Sequence, residues 1–277
     1  MIFVGGTGRC GTTVLAMALH QDPRFAAFIE PRFVIFPGGL MDYAVNKTIT
    51  REEFITNMRR RFLPQMLRTI KAQGILPNGK AVYNISLIRS VDYTSGRFAA
   101  LPHIYARLFT VGLLTEIHKH LGTKRIVHKT PHTIVWAGYL QWIFPNSKFI
   151  HIMRDPRDIC ASVLPLKWGP TTVEAFPEYY NKLMDDAWAA RLNVPTGRYL
   201  TVSMEALVDA PERTLYQLYR FVRERPPPMD ILEEMAKRFT PGRAHIGRYA
   251  RDLSTEQAQF VQDQCGENYR RWLDLSI

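Results

Sequence analysis

Cysteine is scarce: Cys10, Cys160 and Cys265 are spread over 277 residues. An odd count that far apart builds no disulfide framework and gives no zinc spacing, so no metal site is expected. A reducing compartment, the cytosol, is the simplest expectation. No apolar run approaches the roughly 18 residues of a membrane-spanning helix. Met1–Gly5 has no basic stretch before its apolar residues and no small-residue cleavage site, so a signal peptide is not expected either. Internal repeats and low-complexity tracts are missing, which excludes solenoid and fibrous architectures. Basic runs are limited to Arg59-Arg60-Arg61, which reads as a solvated helix face.

What is present is an ordinary globular composition, 46% hydrophobic and 22% charged, in a chain long enough to bury a core without staples. A single domain, 1–277, is expected. Lys and Arg total 36 against 25 Asp and Glu, a formal net charge of +11. That excess favours an anionic partner. Its dispersal suits an anion pocket better than a nucleic-acid stripe, and no basic-aromatic platform for single strands is evident. The oligomeric state is not legible.

Along the chain, Ile2-Phe3-Val4 is a β-rich run that meets Gly5-Gly6, and Thr12–Leu19 reads as a helix ended by Asp22-Pro23. Residues 25–29 form a second strand before Glu30-Pro31-Arg32. Residues 33–123 are expected to be mostly helical, an insertion region with turns at Pro37-Gly38-Gly39 and Pro77-Asn78-Gly79. Further strands fall at 125–128, 148–153 and 199–202. Thr130-Pro131 and Asp155-Pro156 each read as a helix start, a capping residue followed by proline. The first of these helices should run to about Ile143; a later one covers 210–222. Strands alternating with helices predict an α/β fold, a central parallel sheet with helices on both faces.

Two strand-to-helix junctions carry the chemistry. Gly5-Gly6-Thr7-Gly8-Arg9-Cys10-Gly11-Thr12-Thr13 offers backbone N–H groups and a helix N-terminus to an anion. Gly6 and Gly11 have Walker A spacing, but the Lys that should follow is Thr12. A nucleoside triphosphatase needs that Lys on its terminal phosphates, so its absence argues against ATP or GTP hydrolysis. At the second junction Arg154 ends a strand, where open α/β sheets bind ligands, and a helix N-terminus follows. Arg offers forked donors suited to a phosphate monoester. Asp155 reads as a cap.

The loop Gly8-Arg9-Cys10-Gly11-Thr12-Thr13 and the stretch Phe149–Ser162, with Arg154-Asp155-Pro156-Arg157-Asp158, resemble the two nucleotide motifs of sulfotransferases that use 3′-phosphoadenosine 5′-phosphosulfate (PAPS), releasing 3′-phosphoadenosine 5′-phosphate (PAP). A third segment, Arg198–Val208, is also similar, except that Met204 replaces the Tyr usual before Glu205. The resemblance implies a P-loop-like fold and in-line sulfuryl transfer to an acceptor hydroxyl. It implies that Gly8, Arg9, Cys10, Gly11, Thr12 and Thr13 bind the 5′ side, that Arg154 and Ser162 hold the 3′-phosphate, and that Arg248 reaches it from a C-terminal segment. Arg251 is the alternative to Arg248 for that contact, and Tyr249 is a candidate to stack on adenine. Glu30-Pro31-Arg32 and His128-Lys129-Thr130-Pro131 resemble the tyrosylprotein branch and its bacterial relatives, which implies Glu30 as general base, Arg32 beside the acceptor, and Lys129 with Arg9 on the transferred sulfuryl group. His128 is a rival base, although strand alternation should turn it away from Lys129. The acceptor is open: a small molecule, a sugar or a peptide tyrosine. Phe33, Phe36, Tyr43, Tyr93, Phe98 and Tyr105 either line an acceptor pocket or pack a helical core. A P-loop kinase with an atypical loop and a non-catalytic PAP- or PAPS-binding module are the alternative readings.

Overall fold

A computed structural model describes residues 1–65, 85–121 and 125–277. Its centre is a five-stranded, all-parallel sheet of β1 (Ile2–Gly5), β2 (Phe25–Ile29), β3 (Arg125–Lys129), β4 (Lys148–Met153) and β5 (Tyr199–Ser203), in the order β2-β3-β1-β4-β5. Val4 lies opposite Lys129 on one side and Ile150 on the other, so β1 is the middle strand. Its residues are buried without polar alternation, as a sheet covered on both faces requires.

Successive side chains still divide between the faces. Ile2, Val4, Phe25, Ala27, Ile150 and Val202 enter one core with the helices Thr12–Gln21, Pro156–Val163, Phe176–Arg191, Pro211–Val222 and Thr255–Leu273. Phe3, Ala26, Phe28, Ile126 and Phe149 enter a second core with residues of 33–63 and of the helices Ile85–Gly96, Pro102–Leu121 and Ala137–Ile143. The described part of 33–123 therefore covers one face of the sheet. Pro37-Gly38-Gly39 is a turn, whereas Pro77-Asn78-Gly79 lies outside the described residues.

One element departs from the reading of the sequence. The helix expected from Thr130 to Ile143 begins as a 3-10 helix, Pro131–Trp136, and becomes α-helical only at Ala137. The Thr130 side chain makes no cap bond. The Pro131 carbonyl accepts the Gly6 N–H at 2.8 Å, which ties this start to the glycine loop. The β-branched run Thr133-Ile134-Val135 also resists the α conformation.

Candidate active site

All five strands point their C-terminal ends the same way, and the glycine loop, Glu30, Lys129 and Arg154 leave that one edge. A cavity of ≈ 670 Å³ opens there, lined among others by Gly8, Arg9, Gly11, Thr12, Thr13, Glu30, Arg32, Phe36, Lys129 and Arg154. Among the described residues that line it, five are Lys or Arg (Arg9, Arg32, Lys129, Arg154, Arg243), and Glu30 is the lone acid. Such a site selects an anion.

The first junction is built from backbone. Gly8, Arg9 and Gly11 have φ of 83°, 57° and 99°, curling the chain around its own N–H groups. The φ of 99° favours glycine at position 11, and a Cβ there would come within 2.6 Å of the Met204 Sδ and displace that side chain. The helix Thr12–Gln21 has no side-chain cap, and its first turn lines the cavity, with Thr13 exposed. Cys10 differs from the sequence reading: the whole residue is buried and does not line the cavity, its side chain lies in the core, and burial raises the thiol.

The second junction is built from side chains. Arg154 is 5% exposed; its Nη1 donates to the Arg9 carbonyl at 3.0 Å and its Nη2 to Asp158 at 3.1 Å. Its Nε is buried without a partner. Arg9 Nε donates to Ser162 Oγ at 2.9 Å. The glycine loop, Arg154 and Ser162 are thus in direct contact. Asp155 accepts the Arg157 N–H at 2.9 Å, the capping role expected of it. Glu205, which Met204 precedes, accepts from the Tyr269 hydroxyl at 3.4 Å and from the Asp155 N–H at 2.9 Å. Burial outweighs that N–H and raises the Glu205 carboxyl.

Glu30 sits at the end of β2 with φ 50°, and Arg32 follows Pro31 with φ 60°. Two non-glycine residues in the left-handed region, flanking a proline, mark stored backbone strain. The Glu30 N–H is fixed to the Lys129 carbonyl at 2.7 Å. Its carboxylate accepts from Lys129 Nζ at 2.9 Å and from Arg32 Nη2 at 2.9 Å. Partial burial pushes the Glu30 carboxyl up, but the Lys129 ammonium and then the Arg32 guanidinium outweigh it and hold it below the usual carboxylate range. Lys129 itself is 2% exposed.

His128 faces the other side of the sheet, as alternation requires. Its ring lies 5.2 Å from Phe3 and 6.5 Å from Phe33, with both nitrogens buried and unpartnered. Burial drives its pKa down to about 3, and the residue lies outside the cavity lining, on the opposite face of the sheet from Lys129. His151 is equally buried, and burial likewise lowers it to about 3.

Other candidates are redistributed. Phe36 lines the cavity, with the Arg32 guanidinium 4.7 Å from its ring. Phe33, Tyr43 and Tyr105 are core residues, while Tyr93 and Phe98 are exposed. Arg248 lies outside the cavity lining and binds Asp252; Arg251 is on the surface with the same partner. The Tyr249 ring carries the Arg157 guanidinium at 4.1 Å. The basic residue that this segment does bring to the cavity is Arg243, joined by His245. Trp168, at the mouth beside Gly8, was also missed; no local pattern distinguishes either position. Among the described residues no cluster of potential metal ligands occurs.

The sulfotransferase family model matches residues 2–225, so the chain belongs to the sulfotransferase family. It is 27% identical over 234 residues to a putative protein-tyrosine sulfotransferase of Caenorhabditis briggsae, covering 80% of this chain and 65% of that protein. It is 30% identical over 119 residues to protein-tyrosine sulfotransferase 2 of Gallus gallus, covering 40% of this chain and 31% of that protein. The chain therefore spans less than two thirds of the length of either relative. In fold it is similar to the sulfotransferase domain from the curacin biosynthetic pathway, with a TM-score of 0.52 and 16% identity over 100% of this chain and 91% of that one.

Proposed function

We propose that the chain transfers a sulfuryl group from PAPS to an acceptor hydroxyl, with Glu30 as general base. The observation that carries this reading is the Lys129–Glu30–Arg32 cluster at 2.9 Å on either side, set in the same cavity as an uncapped phosphate loop and Arg154. The residues suit the nucleotide. The uncapped helix start Gly11–Thr13, which lines the cavity, suits a 5′-phosphosulfate, and Arg154, whose Nε has no partner, suits a 3′-phosphate.

PAPS, as a substrate, supplies an electrophilic sulfur and a stable leaving phosphate. Everything else falls to the chain. Glu30 takes the proton of the acceptor hydroxyl as its oxygen bonds to sulfur and the sulfur–oxygen bond to the 5′-phosphate breaks. Lys129 and Arg9 offset the charge that moves onto the transferred group and the departing oxygen. Lys129 can leave Glu30 for that task while Arg32 keeps the carboxylate ionised. Positioning and charge stabilisation carry most of the acceleration in loose, in-line transfers. The acceptor enters past Phe36 and Arg32, a surface suited to a peptide tyrosine, as in the relatives' names, and equally to a phenolic small molecule or a sugar.

The test is incubation with sulfur-labelled PAPS and a cell extract, followed by identification of labelled product. The reading expects a labelled acceptor with wild type and none with Glu30→Gln. Label transfer by Glu30→Gln at the wild-type rate removes Glu30 from the role, and tight PAP binding without any labelled acceptor favours a non-catalytic module.

A further inference from the structure

We propose that Asp158 is a positioning residue that fastens the segment 243–249 as one wall of the cavity and sets Arg154 against it. Only its consequence for nucleotide affinity rests on the sulfotransfer reading. Asp158 lies in the helix Pro156–Val163, is 1% exposed, and is absent from the cavity lining. A carboxylate beside an anion site opposes the ligand by its charge. Here both oxygens are committed to protein donors. Oδ2 accepts from Arg154 Nη2 at 3.1 Å and from the Gly247 N–H at 2.9 Å, and Oδ1 accepts from the Tyr249 N–H at 3.0 Å. Positive φ at His245 (53°) and Gly247 (73°) turns the segment so that both N–H groups reach one carboxylate.

Arg154 Nη2 also donates to the His245 carbonyl at 2.5 Å. Asp158, Arg154 and the segment therefore form one closed set of bonds. Because Oδ2 is shared, the orientation of Arg154 and the docking of the segment depend on each other. The segment matters to the cavity because Arg243 and His245 line it. Asparagine at 158 keeps the shape but presents an NH₂ to one of the N–H donors and leaves Arg154 without its counter-charge.

The experiment compares wild type with Asp158→Asn and Gly247→Pro. The second variant removes one of the three donors and forbids the positive φ, and it lies outside the core. Two readouts are taken: tryptic cleavage after Arg243, Arg248 and Arg251 without ligand, mapped by mass spectrometry, and calorimetric affinities for PAP and AMP. Both variants are expected to be cut in this segment about tenfold faster or more, and to bind PAP about tenfold more weakly with AMP little changed. General loss of structure would instead weaken PAP and AMP alike and expose sites throughout the chain, in which case Gly247→Pro decides. Unchanged cleavage at the three arginines, or an unchanged ratio of PAP to AMP affinity in both variants, overturns the proposal. If wild type binds neither nucleotide, the sulfotransfer reading fails, and the cleavage comparison still decides whether Asp158 holds the segment.

Discussion

The two strand-to-helix junctions at the cavity are built on opposite plans. After β1 the helix has no side-chain cap, and the chain enters it through a loop with three residues of positive φ that lines the cavity. After β4 the helix is capped by Asp155, and the group that reaches the cavity, Arg154, is a side chain that already has partners in Arg9, Asp158 and His245. The first junction is preorganised by conformation, so its cost is met in folding. The second is preorganised by a network, so its geometry depends on residues far away in sequence. A side-chain substitution should therefore be felt at the second junction, and a backbone change at the first.

The largest expected effect lies between them. Glu30→Gln should lower turnover by about 10²–10⁴-fold while leaving PAP affinity within experimental error, because the base meets the acceptor and not the nucleotide. Turnover and calorimetry on the same preparation check this. Gly11→Ala tests the backbone plan: the φ of 99° and the 2.6 Å approach to Met204 predict a loss of PAP affinity of at least about tenfold. Ser162→Ala tests the side-chain plan more gently. It removes one partner of Arg9 and should cost about fivefold in PAP affinity. An effect of Ser162→Ala larger than that of Gly11→Ala would reverse the proposed contrast.

The smallest effects concern pH. His128 is buried and neutral, with a folded pKa of about 3 against an ordinary 6.5. The unfolded chain takes up its proton first, so the associated stability is complete above pH 6.5 and is lost as pH falls toward 3. His128→Phe should remove roughly 1.4 kcal/mol per pH unit of that dependence within this window, and leave transfer intact. Denaturant titrations at several pH values measure it; a loss of turnover would restore the histidine as a candidate base. Glu30 has the opposite origin. Its carboxyl is depressed from 4.5, so the stability it gains from Lys129 and Arg32 is present above pH 4.5 and disappears as pH falls through the lower folded value.

Much of this arrangement was legible because it is local. Gly8–Thr13, Glu30-Pro31-Arg32 and Arg154–Ser162 are short runs whose conformation and chemistry are encoded by neighbours in sequence, and the parallel sheet followed from the alternation of strands and helices. The same alternation turned His128 away from Lys129. What was not legible depends on partners far along the chain. Phe33, Tyr43 and Tyr105 look identical to Phe36 as sequence; only the packing against β1, β2 and neighbouring helices separates core from cavity wall. The bonds from Asp158 to Gly247 and Tyr249 span 89 and 91 residues and use backbone N–H groups, which leave no residue-type signature. Within the segment 243–251, Arg243 and not Arg248 is the arginine at the cavity, a choice that also depends on distant partners.

The central claim is that one cavity holds both anionic ends of a 3′-phosphorylated adenine nucleotide. Calorimetric titration of the wild-type protein with PAP, AMP and ATP–magnesium tests it most directly. The account predicts that PAP binds without magnesium and at least about 100-fold more tightly than AMP, the difference arising from the 3′-phosphate on Arg154 and Ser162. Equal affinity for PAP and AMP, or a preference for ATP with magnesium, would contradict it.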